Sequence, residues 1–184
     1  IVAYPLRGGS LINIVAVEER TDWVEEGWSH VGDANEMRER FAAFKGPASD
    51  LLAEVQDCLV WGLFRHRVAR HWHGTRTAIV GDAAHPTLPF LAQGANMALE
   101  DAAVLAEKLA AHELGGALRD YQATRQKRVQ KIVGAANANA RNFHLPAGPT
   151  RFLAHTGLML ASRIYPGGFN RRFDWIYKYQ ATSA

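Results

Sequence analysis

The stretch Gly81-Asp82-Ala83-Ala84-His85-Pro86-Thr87-Leu88-Pro89-Phe90-Leu91-Ala92-Gln93-Gly94-Ala95-Asn96-Met97 follows an apolar, strand-like segment, Ala78-Ile79-Val80, and leads into an alanine-rich helix. A strand that stops at Gly-Asp lets the backbone approach a ligand closely at the glycine and presents a carboxylate that accepts hydrogen bonds from hydroxyl groups. Two prolines stiffen the crossing, and Gln-Gly opens a helix whose first amide groups have no partner inside the helix. The stretch therefore predicts a site for a large, polyhydroxylated and partly anionic cofactor.

The motif, which continues to Glu100-Asp101-Ala102, resembles that of the flavin-dependent aromatic hydroxylases. These are single-component FAD monooxygenases of the salicylate hydroxylase and para-hydroxybenzoate hydroxylase type, and the Gln-Gly-Ala-Asn-Met form is most similar to the salicylate hydroxylases. Further stretches that resemble the family are Tyr4-Pro5-Leu6-Arg7-Gly8-Gly9 with Asn13-Ile14-Val15-Ala16, Trp61-Gly62-Leu63-Phe64 with Trp72 and Gly74-Thr75-Arg76, and Asp174-Trp175-Ile176-Tyr177.

The resemblance implies an α+β fold, the C-terminal half of an FAD/NAD(P)-binding-type monooxygenase. It comprises part of the substrate-domain sheet, the Gly-Asp strand with its flavin-facing helix, and a helical C-terminus. Residues 1–75 would form part of a substrate-binding β-sheet domain with a helical insert, residues 76–140 the C-terminal part of the FAD-binding domain, and residues 141–184 a C-terminal helical segment. The Gly-x-Gly-x-x-Gly turn that binds the ADP half of FAD is not found in this sequence. We therefore expect the N-terminal half of the same enzyme as a partner, and the fragment alone to be inactive.

The family's cofactor, FAD, is expected to contact the residues of the central motif. Asp82 would accept hydrogen bonds from the ribitol hydroxyls, although an aspartate that caps a turn after a strand is the simpler reading of Gly-Asp alone. The amides at the start of the helix would stabilise negative charge on the flavin ring by about 0.3–2 kcal/mol, although Gly94 also suits an ordinary buried helix start. The expected cofactor-binding residues are Gly81, Asp82, Pro89, Ala92, Gln93, Gly94, Ala95 and Asn96.

The resemblance also assigns a catalytic role to Pro89, whose carbonyl would lie between flavin and substrate and accept a hydrogen bond from a phenolic substrate. A rigid loop proline is the alternative. Tyr4, Asn13 and Phe90 are the expected substrate-binding residues, with a core aromatic as the alternative for Tyr4. Leu91 and Ala92 replace a small, glycine-containing pair found in the para-hydroxybenzoate type.

The remaining polar residues predict no further chemistry. His85 is interpreted as structural, and His66, His71 and His73 as surface or loop histidines, so we expect no metal. Basic residues are dispersed, which argues against nucleic acid as a partner, and no apolar run is long enough to span a membrane. The single cysteine, Cys58, fits a reducing compartment and hence the cytoplasm.

The leading interpretation is an FAD-dependent monooxygenase that hydroxylates a salicylate-like or hydroxybenzoate-like substrate with NAD(P)H and O2, with a homodimer as a candidate assembly. One alternative is a flavoprotein oxidoreductase or epoxidase of the same fold that acts on a non-aromatic substrate. Another is a flavin-less binding domain.

The residue pattern also predicts the secondary structure around the motif. Two strands, 1–5 and 10–18, should be joined by a turn at Arg7-Gly8-Gly9, with the second strand covered on both faces. Two short helices should begin at N-caps Asp33 and Ser49, the first with Glu36 closing a capping box. A helix over 95–110 should have one face formed by Ala98, Ala102, Leu105 and Leu109. A strand over 76–82 should pack on that helix through Ala98, Ala102 and Leu105, and the helix should break at Gly115-Gly116. A long helix should follow with Leu118, Tyr121, Val129, Ile132 and Ala136 inward, then a helix over 150–162 and a turn at Tyr165-Pro166-Gly167-Gly168.

Overall fold

The structure is a computed structural model that describes residues 1–22, 25–146, 148–165 and 171–181. Helices and strands are mixed, which confirms the predicted fold class, and the chain divides into two compact units, Ile1–Leu63 and Phe64–Ala184. The division of the fold lies after Leu63, whereas the functional boundaries at residues 75 and 140 stay predictions.

The first unit opens with an antiparallel hairpin of β1 (Val2–Leu6) and β2 (Leu11–Val15), in which Tyr4 lies opposite Asn13. The turn between the strands is the predicted one. Gly8 and Gly9 adopt φ angles of 67° and 95°, a region that glycine enters without steric cost.

The prediction that β2 is covered on both faces is wrong for its first two residues, whereas Asn13, Ile14 and Val15 are half-buried. Leu11 and Ile12, whose side chains point to opposite faces, are 49% and 53% exposed. The reason is that β1 and β2 form a two-stranded sheet, which shields little of either face. Apolar residues on both faces of a strand therefore do not by themselves establish two covering layers.

Helix α1 (Ala34–Arg40) begins at the predicted N-cap. The Asp33 carboxylate accepts hydrogen bonds from the backbone N–H groups of Asn35 at 2.6 Å and Glu36 at 3.3 Å. The Glu36 side chain forms an ion pair with Arg40 at 2.6 Å, so the structure shows the Asp33 cap and not the reciprocal capping box.

Helix α2 (Pro47–Ala53) begins after Gly46 and not at Ser49, because the fixed φ of proline suits the first helical position. Two short strands, β3 (His30–Gly32) and β4 (Cys58–Val60), pair antiparallel in the same unit.

The second unit is built on two long helices, α3 (Gly94–Ala111) and α4 (Leu114–Phe143), which pack against each other. The inward face of α4 is the one that the sequence predicts, with Leu118, Tyr121, Val129, Ile132 and Ala136 all buried. Gly115 and Gly116 do not break the helix, however. They lie in the first turn of α4, and the interruption falls at residues 112–113.

The predicted inward face of α3 is wrong in part. Ala98 and Leu105 are half-buried, but Ala102 and Leu109 are exposed. The fully buried residues are Met97, Asp101 and Val104. A pattern of apolar residues misses this face because its central member is a carboxylate, which is tolerated in a core only when it is paired.

The prediction of a strand over 76–82 is wrong, because the structure has no strand there. Among the described residues the segment's only ladder contact is a bridge between Ala78 and His73, supported by a 2.8 Å hydrogen bond from the Ile79 N–H to the Trp72 carbonyl. A 3-10 turn, Gly81–Ala83, follows directly. Val80 has an extended backbone, but no strand in the described part of the chain completes a ladder with the segment.

Helix α5 (Pro149–Ile164) agrees with the prediction and carries several exposed apolar side chains, among them Phe152, Leu153 and Ile164. Helix α6 (Asp174–Tyr177) follows, while the turn predicted at 166–168 lies outside the described residues. None of the helices in the described ranges is long and apolar enough to cross a bilayer.

Candidate cofactor site

The turn at Gly81 requires glycine for two independent reasons. Its φ angle is +57°, in the left-handed region, and a β-carbon added there would lie 3.1 Å from the Cβ of Ala98 on α3. The backbone N–H of Gly81 donates a 3.0 Å hydrogen bond to the carboxylate of Asp101, also on α3. The turn is therefore held tightly against α3.

Asp82 lies at the surface of this turn. Its side chain is exposed and makes no hydrogen bond or ion pair with any residue in the described ranges. Its neighbours in sequence are anchored, because the N–H groups of Ala84 and His85 both bond to the Gly81 carbonyl at 2.9 Å. Asp82 is thus a free carboxylate on a fixed backbone.

The N-terminus of α3 offers unpaired amide groups. The first helical hydrogen bond runs from the Met97 N–H to the Gln93 carbonyl at 2.8 Å, and the Gln93 side chain does not cap the helix. The N–H groups of Gly94, Ala95 and Asn96 therefore lack partners within the helix, and Ala95 and Asn96 are exposed. These amides carry the positive end of the helix dipole.

The loop before α3 places the other expected cofactor residues. The Gln93 side chain is buried and donates to the Leu91 carbonyl at 3.2 Å, so it has a partner inside the loop. Ala92 is exposed and adopts φ 51° and ψ 38°, a left-handed conformation that costs an alanine about 1–2 kcal/mol. A glycine at this position would adopt the same conformation without that cost.

Pro89 is exposed, and its carbonyl accepts a 3.0 Å hydrogen bond from the Ala92 N–H within a 3-10 turn, Pro89–Leu91. A carbonyl oxygen has two lone pairs, so a second donor can still bind. Phe90 is half-buried, with its ring 6.0 Å from that of Phe143 and 5.9 Å from that of His144. The expected catalytic carbonyl and the expected substrate aromatic are therefore neighbours on one short turn.

Beneath these groups lies a polar network that the sequence did not predict. Asp101 is fully buried, and its carboxylate contacts His85 Nε2 at 2.5 Å and Arg125 Nε at 2.8 Å. Burial by itself raises the pKa of Asp101, but hydrogen bonds from His85, Arg125 and the Gly81 amide outweigh it and hold that pKa below its usual range. Asp101 is thus a buried, paired carboxylate.

Arg125 extends the network along α4. It is fully buried and lies 2.6 Å from Glu100, although the orientation of its Nη1 group makes this contact an ion pair without a hydrogen bond. Glu100 also pairs with Arg128 at 2.8 Å, and Arg128 donates to the carbonyls of Trp175 and Ile176. The signal available in the sequence was the Glu-Asp pair of the motif together with arginines at helical spacing.

Aromatic side chains pack against the buried polar network. The Trp72 ring lies 5.2 Å from the His85 ring and 5.7 Å from the Tyr121 ring. The Tyr121 hydroxyl donates to the Ile79 carbonyl at 3.1 Å, and burial raises the pKa of that hydroxyl. His85 is accordingly a buried side chain tied to Asp101, in keeping with a structural role.

Tyr4 and Asn13 belong to the first unit. They are directly opposed on β1 and β2, so their side chains point to the same face of the hairpin. The histidines interpreted as loop residues are spread along 66–73, and no group of three metal-ligating side chains occurs within the described part of the chain.

The side chains and amides on the second unit fit FAD, the cofactor that the resemblance implies. A free carboxylate such as Asp82 accepts from the hydroxyls of a ribityl chain. The unpaired amides at the start of α3 suit the electron-rich edge of a flavin ring. The expected residues for the two parts of the cofactor thus lie on a turn and a helix that are bonded to each other.

Comparison with known proteins gives the same assignment. The family described as FAD binding domain matches residues 6–136. A 3-amino-4-hydroxybenzoate 2-monooxygenase, PtmB3 of Streptomyces platensis, is 33% identical over 98% of this chain and 45% of its own length. A 3-hydroxybenzoate 6-hydroxylase of Aquipseudomonas alcaligenes is 36% identical over 78% of this chain and 45% of its own length.

Solved structures agree with the sequence matches. A salicylate hydroxylase in a substrate complex superposes with a TM-score of 0.75 at 26% identity, covering 97% of this chain and 44% of that one. The chain therefore spans about half the length of the curated relatives it matches. By the match over residues 6–136, the chain belongs to the FAD binding domain family, and the relatives it resembles include aromatic monooxygenases.

Proposed function

We propose that this chain supplies the ribitol- and ring-facing part of the FAD site in a monooxygenase that hydroxylates an aromatic substrate with NAD(P)H and O2. The observation that carries the proposal is the free, exposed carboxylate of Asp82 on a backbone turn that is bonded to α3, whose N-terminal amides are unpaired. Matches to aromatic monooxygenases over most of the chain support the reaction class.

Different residues would bind different parts of the cofactor. Asp82 would hold the ribityl hydroxyls, and the amides of Ala95 and Asn96 would stabilise negative charge on the reduced ring. FAD, when bound, supplies the redox and oxygen-transfer chemistry, and the protein supplies orientation and exclusion of water. Gly81, Ala92, Gln93 and Gly94 would shape the backbone that meets the cofactor.

The substrate is proposed to be a small phenolic or amino-aromatic acid of the salicylate or hydroxybenzoate type. The Pro89 carbonyl would accept a hydrogen bond from its ring hydroxyl, which increases electron density on the ring that is to be oxygenated. Phe90 would contact the ring, while Tyr4 and Asn13, opposed on the hairpin, would line the substrate cavity.

We infer that the ADP half of FAD is held by a Gly-x-Gly-x-x-Gly turn in an N-terminal half of the same enzyme, and that NAD(P)H is the reductant. The exposed apolar side chains of α5 fit contact with that half, and a homodimer is the alternative assembly. The free thiol of Cys58 fits a cytoplasmic enzyme.

Isotope labelling of the full-length protein tests the proposal. Purified protein should carry FAD, oxidise NADH or NADPH faster in the presence of salicylate or 3-hydroxybenzoate, and transfer one ¹⁸O atom from ¹⁸O2 to the ring. A colourless protein that takes up no FAD would contradict the flavin assignment. Flavin reduction with oxygen transfer to a non-aromatic product would contradict the substrate class alone.

A further inference from the structure

A buried carboxylate on α3 binds the Gly81-Asp82 turn, so it connects the two parts of the proposed cofactor site, that turn and α3 itself. Asp101 lies about two turns into α3 and is fully buried. Its Oδ2 atom accepts the Gly81 N–H at 3.0 Å and also contacts His85 Nε2. Since Gly81 directly precedes Asp82, the Asp101 side chain anchors the backbone that carries the free carboxylate.

The other oxygen of Asp101 is held from α4. Its Oδ1 atom accepts the Arg125 Nε–H at 2.8 Å, and Arg125 is itself fixed by the Met97 carbonyl at 3.3 Å and by Glu100. Both oxygens therefore have protein donors, and the carboxylate can adopt one orientation. Because the Gly81 N–H is bonded to this carboxylate, the position of the Gly81 turn is fixed as well.

A purely structural ion pair would account for the contact between Asp101 and Arg125, because a buried charge needs a partner. It would not account for the bond from Asp101 to a main-chain N–H at a residue with positive φ. That bond lies at one end of the exposed turn, whereas the unpaired amides lie at the start of the helix that carries Asp101.

We propose that Asp101 is a positioning residue for the cofactor, which fixes the Gly81-Asp82 turn relative to the N-terminus of α3. The ribitol-binding carboxylate and the ring-facing amides are thereby held in one arrangement. This inference rests on the proposed function, since it takes FAD as the ligand of both groups. Asp101 itself would not touch FAD.

The test uses the full-length protein in four forms. These are the wild type, Asp101→Ala, a core control Val104→Ala, and the double variant Asp101→Leu with Arg125→Met. Val104 is buried on the same helix, and its truncation weakens the core without removing an acceptor. The double variant replaces the ion pair by apolar side chains, a change that often leaves stability unaltered or improved.

Four measurements are made on each form. Hydrogen exchange of the Gly81 amide, without FAD, reports the turn itself. Fluorescence titration reports the FAD dissociation constant, and visible circular dichroism of the bound flavin reports its surroundings. Urea unfolding of each form gives its global stability, so that a loss of FAD affinity caused by a displaced turn can be distinguished from one caused by a less stable fold.

In Asp101→Ala and in the double variant, the Gly81 amide should exchange at least about tenfold faster without a matching change in global exchange. FAD affinity should fall by roughly 10–100-fold, the range seen when outer partners of metal ligands are removed. Val104→Ala should lose stability but keep both properties. A stable double variant with weakened FAD binding would establish positioning, because its core is intact.

Unchanged Gly81 exchange in either Asp101 variant would overturn the proposal, and so would wild-type FAD affinity in a stable double variant. An equal loss of FAD affinity in Val104→Ala would also overturn it, since the effect would then follow from stability. The proposed function fails separately, in the wild-type titration alone, if that protein binds no FAD.

Discussion

Gly81 and Asp82 are adjacent residues with different physical requirements. Gly81 is buried and has a positive φ, and it packs so closely on α3 that a side chain would not fit between them. Asp82 is exposed and unpaired within the described part of the chain. Gly81 is fixed by packing and thereby holds the adjacent Asp82 carboxylate in place for a ligand. A rigid binding turn needs this arrangement.

Replacing Gly81 by alanine should destabilise the fold by about 1–3 kcal/mol, because alanine is strained at positive φ and its Cβ would meet Ala98. Urea unfolding of the full-length protein measures this. The matched control is Gly134→Ala in the middle of α4, where a Cβ meets nothing within 4 Å. There alanine should stabilise by about 0.5–1 kcal/mol. Equal effects of the two substitutions would contradict the special geometry of Gly81.

Asp82→Ala should weaken FAD binding, since hydrogen bonds to a charged group contribute about 1.5–3 kcal/mol each. One lost bond corresponds to roughly a 10–150-fold higher dissociation constant, measured by titration of the full-length apoprotein. Asp120 is an exposed aspartate on α4 that lies 3.7 Å from His112, and Asp120→Ala is the control that should leave the affinity unchanged. Flavin retained through dialysis with wild-type affinity would disprove the role of Asp82.

At the scale of elements, helices α3 and α4 are joined by charge as well as by apolar packing. Arg125 and Asp101 meet in the core, and Glu100 and Arg128 meet nearer the surface. Each of the two ion pairs links α3 to α4, and Arg128 adds hydrogen bonds to the carbonyls of the α6 segment. The relative placement of these elements therefore depends on specific partners and not only on burial.

The lowered pKa of Asp101 makes this junction sensitive to acid. The folded-state pKa lies below the unfolded value of about 3.9, so the unfolded chain takes up the proton first as the pH falls. The stabilisation is present above that value and is lost as the pH falls through the folded pKa. Urea unfolding between about pH 6 and pH 3 should show a shallower loss for Asp101→Asn than for the wild type. Equal slopes for Asp101→Asn and the wild type would refute the assignment to Asp101.

At the scale of the whole molecule, each of the two units carries a separate part of the proposed function. The second unit has a core of residues such as Trp72, Met97 and Tyr121 that are fully buried. The hairpin of the first unit and α5 of the second leave large apolar side chains exposed, for example Ile12 and Phe152. Such surfaces fit the proposed contact with an N-terminal half of the enzyme.

Chain 1–184 on its own should neither bind FAD tightly nor oxidise NAD(P)H. In the proposed function the motif contacts only the ribitol and ring, and the pyrophosphate and adenosine are held by the glycine-rich turn of the proposed N-terminal half. Flavin fluorescence titration and sedimentation velocity of the purified chain measure binding and self-association, which the exposed apolar surface should promote. Stoichiometric binding at micromolar FAD, or NAD(P)H oxidation stimulated by an aromatic acid, would refute this prediction.

The sequence by itself determined the family resemblance, the long helices and the inward face of α4. Apolar residues at helical spacing are a local signal, and Leu118, Tyr121 and Val129 follow it, although the buried Arg125 lies between Tyr121 and Val129 on the same helix. The motif around Gly81 and Asp82 was equally legible, because glycine and proline have backbone requirements that few other residues share.

Only the tertiary structure decided which face of α3 is buried and what holds the Gly81 turn. Asp101 reads as a surface residue in any local pattern, and it is buried because Arg125, His85 and the Gly81 amide converge on it. Those partners lie 16 to 24 residues away in the chain. A buried ion pair forms only when several segments of the chain come together, so it cannot be predicted from any single segment of the sequence.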